Sequence, residues 1–216
     1  MKKVNSNPFL RIYDRLLAHY GPQGWWPGET PLEVMVGAVL TQNTNWKNVE
    51  RAINNLKNAG QFDFWALQEL PVEKLAEYIR PSGYYNVKAV RLKNLLQMIT
   101  EEYEGELQFL FADSLENARE NLLRVKGVGP ETADSILLYA AGKPIFVVDT
   151  YTHRVFARHE IVLEDNDYFT LQQEFMDNLP EDVSLFNEFH ALIVVVAKEF
   201  CKKRKPRCKE CPLHGV

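Results

Sequence analysis

The sequence predicts an all-α fold of about ten helices. Three observations carry this. Apolar residues recur at helical spacing along most of the 216 residues. Helix-capping residues recur at matching intervals. The only strand-like run, Ile145–Val148, is too short and too isolated to build a sheet.

Each helix has its own start and stop signals. Asn7-Pro8 opens the first, with Leu10, Tyr13, Leu16, Leu17 and Tyr20 on one side and Gly21 closing it. Thr30, Pro31 and Glu33 form a capping box with proline at the first helical position, opening an apolar helix through Leu40. Asn45 caps the next, where Trp46, Val49, Ala52, Ile53 and Leu56 share a face. A shorter helix runs from Pro71 to Arg80 and stops at Pro81, Ser82 and Gly83. Asn86 to Tyr103 follows, with Val90, Leu92, Leu95, Leu96 and Ile99 facing inward. Ser114 caps residues 115–125, and Gly129-Pro130 starts a helix to Ala141. Further helices are expected at 150–158, 167–178 and 183–201. There is no internal repeat, low-complexity segment or Pro/Ser-rich linker.

Composition excludes several classes. Hydrophobic residues are 46% and charged residues 25%, which is ordinary globular usage and not that of disordered or collagenous chains. A chain this long buries roughly 70% of its unfolded surface, so folding needs no disulfide or metal. The longest apolar runs, Val34–Leu40 and Ala191–Ala197, fall far short of the ~18 residues of a membrane span. The polar N-terminal stretch through Pro8 has no apolar signal core. All three cysteines lie in the last sixteen residues, which is no disulfide framework. A reducing cytosol is the expected compartment, with association to the nucleoid in a bacterium.

The net charge of −4 argues weakly against a nucleic-acid partner, but its distribution is uneven. Residues 201–211 carry six Lys or Arg against Glu210, a local +5, so the rest of the chain carries −9. Screening limits each charge to about 8–10 Å, so a compact basic patch can bind phosphate when the overall sign is wrong. A solvated basic tail has the same composition.

Residues 122–137 read as one amphipathic helix, a turn at Gly127-Val128-Gly129, and a second helix from Pro130. The glycines allow close backbone approach, and the second helix presents N–H groups at its positive end. Such a turn suits a DNA phosphate. Val128 is expected between the two helices. Leu122, Val125, Ala133, Ile136 and Leu137 surround the turn at the spacing that two packed helices need. The pattern resembles the helix-hairpin-helix motif, which grips DNA backbone without base preference.

Twenty residues past Gly129, Asp149 follows the apolar run and precedes a helix. Asp there is a common N-cap. Together with the hairpin, it resembles the helix-hairpin-helix, Gly/Pro-rich, Asp family of DNA glycosylases, over residues from about Trp25 to Cys211. The resemblance implies two helical lobes. About 30–125 would form a central lobe with the hairpin at 115–141. Residues 1–29 and 142–200 would form the other, and 201–216 a cysteine loop.

The resemblance also implies roles. Asp149 becomes the catalytic carboxylate, positioned by a linker containing Gly142 and Pro144. Lys126, Gly127, Val128 and Gly129 become the DNA-backbone site. In bifunctional members a lysine two residues after the hairpin's last glycine forms a Schiff base. Here that position is Glu131, which cannot form an imine, so a monofunctional enzyme is expected. Gln42, in the stretch Gly37–Thr44, maps to the glutamine that fills the gap left by a flipped base. The adenine-mismatch branch carries a catalytic glutamate where this chain has Gly37.

Trp25, Trp26, Pro27 and Trp46 map to the base pocket, and the whole set is most similar to the 3-methyladenine branch of the endonuclease III group. Aromatic faces suit an alkylated purine with cationic character. The expected substrate is double-stranded DNA with damaged bases, most of all alkylated purines. Oxidised or mismatched pyrimidines are the alternative, and non-catalytic DNA binding is a second. The stretch Tyr84–Ala89 reads as structural, a helix start plus core packing. His19, His153, His159, His190 and His214 form no visible nucleophilic set.

Six residues separate Cys201 from Cys208 and two separate Cys208 from Cys211. This matches three quarters of the family's iron–sulfur pattern and implies a [4Fe–4S] cluster, with the fourth cysteine expected at position 217. Zinc with His214 as a fourth ligand is the alternative. The same loop would present Lys202, Lys203, Arg204 and Lys205 to the DNA backbone. A monomer is implied.

Overall fold

The computed structural model describes residues 7–25 and 28–216. Trp26 and Pro27, two of the expected pocket residues, lie outside the described residues. The helices in chain order are α1 (Pro8–Tyr20), α2 (Pro31–Leu40), α3 (Trp46–Asn58), α4 (Phe64–Glu69), α5 (Val72–Tyr78), α6 (Tyr85–Tyr103), α7 (Leu107–Ala112), α8 (Leu115–Arg124), α9 (Pro130–Ser135), α10 (Thr150–Arg158), α11 (Tyr168–Asn178) and α12 (Val183–Glu199). Among the described residues there is no strand, and Ile145–Val148 has no regular secondary structure. Among the described residues, no helix is long and apolar enough to cross a membrane.

The described residues fall into two compact units. A central unit spans 28–143. A terminal unit combines 7–25 with 144–216. The chain therefore starts in one unit, builds the other, and returns.

In the central unit, α2 is apolar on every side, and Glu33 through Leu40 are all buried. A helix with no polar face belongs at a centre, and α2 packs against α3, α6 and α9. The capping box that opens it is half formed. Thr30 Oγ1 accepts from Glu33 N at 3.2 Å. The Glu33 carboxylate turns instead to Lys57 Nζ, 2.8 Å away, joining α3 to the start of α2.

Two short helices, α4 and α7, were not expected. Asp63 caps α4 through Ala66 N, but each helix spans only six residues and buries one leucine, Leu67 or Leu110. Six residues are too few for helical periodicity to show. The expected helix from Gly129 to Ala141 is also modified. α9 widens after Ser135 into a π-helical turn, Ile136–Ala140, with Ala141 N bonded to Ile136 O.

The core of the terminal unit is a phenylalanine cluster. Phe146 and Phe175 stack at 4.2 Å between ring centroids. Phe9 and Phe156 meet Phe175 edge-on at 4.9 and 4.5 Å. All four rings are buried. Gln172 Nε2 donates to Phe146 O at 2.7 Å, so the run 145–148 is satisfied by a side chain in place of a strand partner.

The hairpin is braced from inside. Arg119 of α8 donates from Nε and Nη2 to the two carboxylate oxygens of Asp134 on α9, at 2.7 and 3.0 Å. The Asp134 side chain is fully buried. Removing one partner of a buried pair leaves the other charge uncompensated. Asp134→Ala is expected to lower unfolding free energy by about 3 kcal/mol, measured as a shift in denaturant midpoint at unchanged slope.

Candidate active site and DNA interface

In the terminal unit, Asp149 is the N-cap of α10. Its Oδ1 accepts from Tyr151 N at 2.9 Å, Thr152 N at 2.7 Å and Thr152 Oγ1 at 3.0 Å. The capping role foreseen from sequence is therefore present, and it uses only one carboxylate oxygen. The other, Oδ2, lies 3.5 Å from His190 Nε2. His190 sits on α12, which packs against α10. The two side chains are 11% and 7% exposed, so the pair is nearly dry.

Burial opposes ionisation of Asp149. The hydrogen bond and charge of His190, and the two bonds from Thr152, outweigh it and hold the carboxyl below the usual carboxylate range. The group is therefore an anion at neutral pH, with its Oδ1 face pinned to a helix N-terminus. His190 was not picked out from sequence. It lies 41 residues after Asp149, and only the packing of α10 on α12 reveals the pairing.

In the central unit, the hairpin forms as expected. α8 ends at Arg124, Val128 is buried, and Gly129 caps α9. Gly127 has φ of +102°, a left-handed conformation that favours glycine. A Cβ there would also lie 2.3 Å from Arg91 Cγ. Lys126, Gly129 and Glu131 are exposed. The first intrahelical bond of α9 runs from Ala133 N to Gly129 O, so the earlier N–H groups lie at the positive end of that helix.

Gln42 follows the C-terminus of α2, just before Asn43 in a left-handed conformation. Its Nε2 donates to Gly127 O at 3.2 Å and to Thr132 Oγ1 at 3.1 Å. Its Oε1 accepts from Arg91 Nη1. The expected wedge is thus docked on the hairpin. Trp46 is half-buried at the first position of α3, and Gly37 is buried within α2.

Tyr84 departs from the structural reading of its segment. It begins α6 as expected, but it is 74% exposed and has φ of +45°, unusual for a bulky side chain. Lys88 fits that reading. It is buried, and Nζ donates to Leu40 O at 2.8 Å and Ser82 O at 2.7 Å. Burial, aided by the charge of Arg91, pulls its pKa down to about 8.

In the terminal unit, Trp25 is half-buried. Cys201, Cys208, Cys211 and His214 line one cavity of about 140 Å³, together with Arg158 and Phe200. Among the described residues, no three His, Cys, Asp or Glu side chains gather closely enough for a single metal ion. Arg158 Nη1 lies 3.2 Å from Cys201 Sγ, and burial pushes the Cys211 thiol up.

The loop between the cysteines is held by arginine donors. Arg154 Nε reaches Cys201 O, and Arg158 reaches Lys202 O and Lys203 O. Arg207 is also committed, to Glu199 O and Glu210. Lys202, Lys203, Arg204 and Lys205 remain exposed.

Comparison with known proteins decides the family. Residues 36–181 match the HhH-GPD superfamily of base excision DNA repair proteins. The chain belongs to that superfamily. It is 48% identical over 215 residues to a putative DNA repair glycosylase of Methanocaldococcus jannaschii, covering 99% of this chain and 97% of that one. It is 31% identical to Bacillus subtilis endonuclease III over 186 residues, 85% of this chain and 78% of that one.

Among solved structures, Helicobacter pylori 3-methyladenine DNA glycosylase bound to 1,N6-ethenoadenine is 33% identical with a TM-score of 0.77. The match covers 88% of this chain and 97% of that one. A trapped endonuclease III–DNA covalent intermediate shares the fold, with a TM-score of 0.81 at 24% identity over 97% of this chain and 94% of that one. The all-helical HhH-GPD fold expected from sequence is confirmed, and the chain is a DNA glycosylase of base excision repair.

Because Asn caps a helix as well as Asp, Asp149→Asn isolates the charge. A depressed carboxyl contributes stability above its unfolded pKa of about 3.9 and loses it as pH falls through the folded value. The stability of the native protein relative to Asp149→Asn is expected to fall as pH drops below about 4. Denaturant titrations of both proteins across the acid range measure this.

Proposed function

We propose that the protein is a monofunctional DNA glycosylase for alkylated purines such as 3-methyladenine. The observation that carries the chemistry is Asp149, ionised and desolvated at the start of α10. The base departs from C1′ with the bonding electron pair and is protonated or already cationic as it leaves. The sugar becomes oxocarbenium-like. The Asp149 carboxylate stabilises that charge, and a water attacks C1′ as its proton passes to that carboxylate. The products are a free base and an intact abasic site.

The monofunctional reading is supported by Glu131, which is exposed in the hairpin at the position where the sequence resemblance places a Schiff-base lysine in bifunctional members. The purine reading is supported by the Helicobacter pylori relative and its bound ethenoadenine. It is also supported by the tryptophans Trp25, Trp26 and Trp46 with Pro27 as pocket residues, since apolar aromatic faces favour a cationic base over one needing hydrogen-bond readout. Gln42 fills the gap left by flipping, which costs a few kcal/mol. Gly127 and Gly129, with Lys126 and Val128, hold a phosphate, and Lys202, Lys203, Arg204 and Lys205 add a second backbone contact. The likeness to endonuclease III favours oxidised or mismatched pyrimidines as the second reading.

Single-turnover incubations with duplexes carrying 3-methyladenine, thymine glycol or uracil test this. Release of the alkylated purine is expected, with strand breaks only after alkali. Breaks without alkali, or a borohydride-trapped adduct, would overturn the monofunctional assignment. Asp149→Asn is expected to slow excision about 100-fold or more with DNA affinity kept. Unchanged excision would remove Asp149 from the chemistry.

We also propose that Cys201, Cys208 and Cys211 hold a [4Fe–4S] cluster, which would tie the basic loop into a fixed shape. Anaerobically purified protein should contain about four iron atoms per chain and absorb broadly in the visible. Cys208→Ser should lose both signals. One zinc and no iron would overturn the assignment.

A further inference from the structure

Three α6 residues at three-residue spacing, Lys88, Arg91 and Asn94, face the same side of the helix. Each holds a different part of the DNA-handling machinery of the central unit. Lys88 binds Leu40 O, the last carbonyl of α2 before Gln42. Asn94 Nδ2 donates to Lys126 O in the hairpin turn at 3.0 Å. Between them, Arg91 reaches both parts. Its aliphatic stem lies against Gly127, where an added Cβ would meet Cγ and Cδ at 2.3 and 2.8 Å. Its guanidinium donates to Gln42 Oε1.

The bonds at Gln42 fix its amide in one sense. The nitrogen faces two acceptors, Gly127 O and Thr132 Oγ1, and the oxygen faces a cation. A flipped amide would put donors against the guanidinium and an oxygen against two oxygens. Arg91 is planar and permanently charged, so it sets this orientation whatever the pH.

We propose that Arg91 is a positioning residue that couples the hairpin to Gln42. A phosphate seated at the Gly127 turn fixes the Arg91 stem, and the guanidinium then presents Gln42 for insertion. This rests on the reading of Gln42 as the wedge and of the hairpin as a phosphate site.

The test is a double-mutant cycle in the full-length protein. Arg91→Met keeps the stem over Gly127 and removes the guanidinium, and Arg91→Lys restores charge without the planar fork. Excision is read in single turnover, base flipping by 2-aminopurine fluorescence beside the lesion, and affinity on undamaged duplex. Arg91→Met is expected to slow excision and reduce flipping about tenfold, with affinity for undamaged duplex kept and Arg91→Lys recovering only part. In the Gln42→Ala background, Arg91→Met should have no further effect.

Two outcomes overturn the coupling. Fully multiplicative losses would mean that Arg91 acts independently of Gln42. A loss of undamaged-duplex affinity as large as the loss of excision would make Arg91 a phosphate ligand. A Gln42→Ala protein that flips and excises normally would overturn the wedge reading instead, and the coupling with it.

Discussion

The terminal unit is organised around a carboxylate that must be charged where water is scarce. An isolated ionised carboxyl is strongly disfavoured in such a place. Asp149 is tolerated because one oxygen satisfies the first turn of α10 and the other faces His190. Both provisions depend on the position of α10. That helix is fixed by Phe156 in the phenylalanine cluster and by its packing on α12. The approach to Asp149 is fixed as well, because Phe146 in the preceding run stacks on Phe175 and its carbonyl is taken by Gln172. An apolar core thus sets the place of a single charge. The hydrogen bonds to that charge cap the helix and keep the carboxylate ionised at once.

The central unit poses a different problem, since its hairpin turn leaves backbone exposed at Lys126 and Gly129 without losing the fold. Gly127 turns left-handed where any other residue would be strained and would strike Arg91. The turn stays rigid because Val128 is buried beneath it and the Arg119–Asp134 pair locks α8 to α9. Neither partner of the ion pair can stand alone, since each group's burial is balanced by the other. The π-helical turn after α9 adds a residue within a buried wall formed by Ile136, Leu137 and Leu138. Such turns often accompany functional segments.

What was legible in the sequence follows the range of the interactions. Local rules read well. Asn7, Thr30, Asn45, Ser114 and Asp149 cap the helices they were expected to cap, because a cap involves residues two or three apart. The glycine turn was legible for the same reason. Pairings between distant helices were not. His190 against Asp149, and Arg91 between Gln42 and Gly127, leave no periodic trace. Tyr84 misled because its neighbours Lys88 and Ala89 do pack inside, whereas its own backbone turns the ring outward. α4 and α7 each bury a single leucine, too little pattern to distinguish a helix from a loop.

Charge shows why totals say little about partners. The chain is acidic overall, yet its basic side chains divide into two populations by what they touch. Arg154, Arg158 and Arg207 spend their donors on main-chain carbonyls around the cysteine loop. They shape the loop, and their planar forks suit that work. Lys202, Lys203, Arg204 and Lys205 stay exposed on the loop so shaped. On the proposed backbone contact, a phosphate within a Debye length of about 8–10 Å of the loop would sense these four cations far more than the summed charge of the chain. On that same reading, a basic footprint of four residues would release few counterions and would hold ordinary duplex weakly, whatever the net charge of the whole chain.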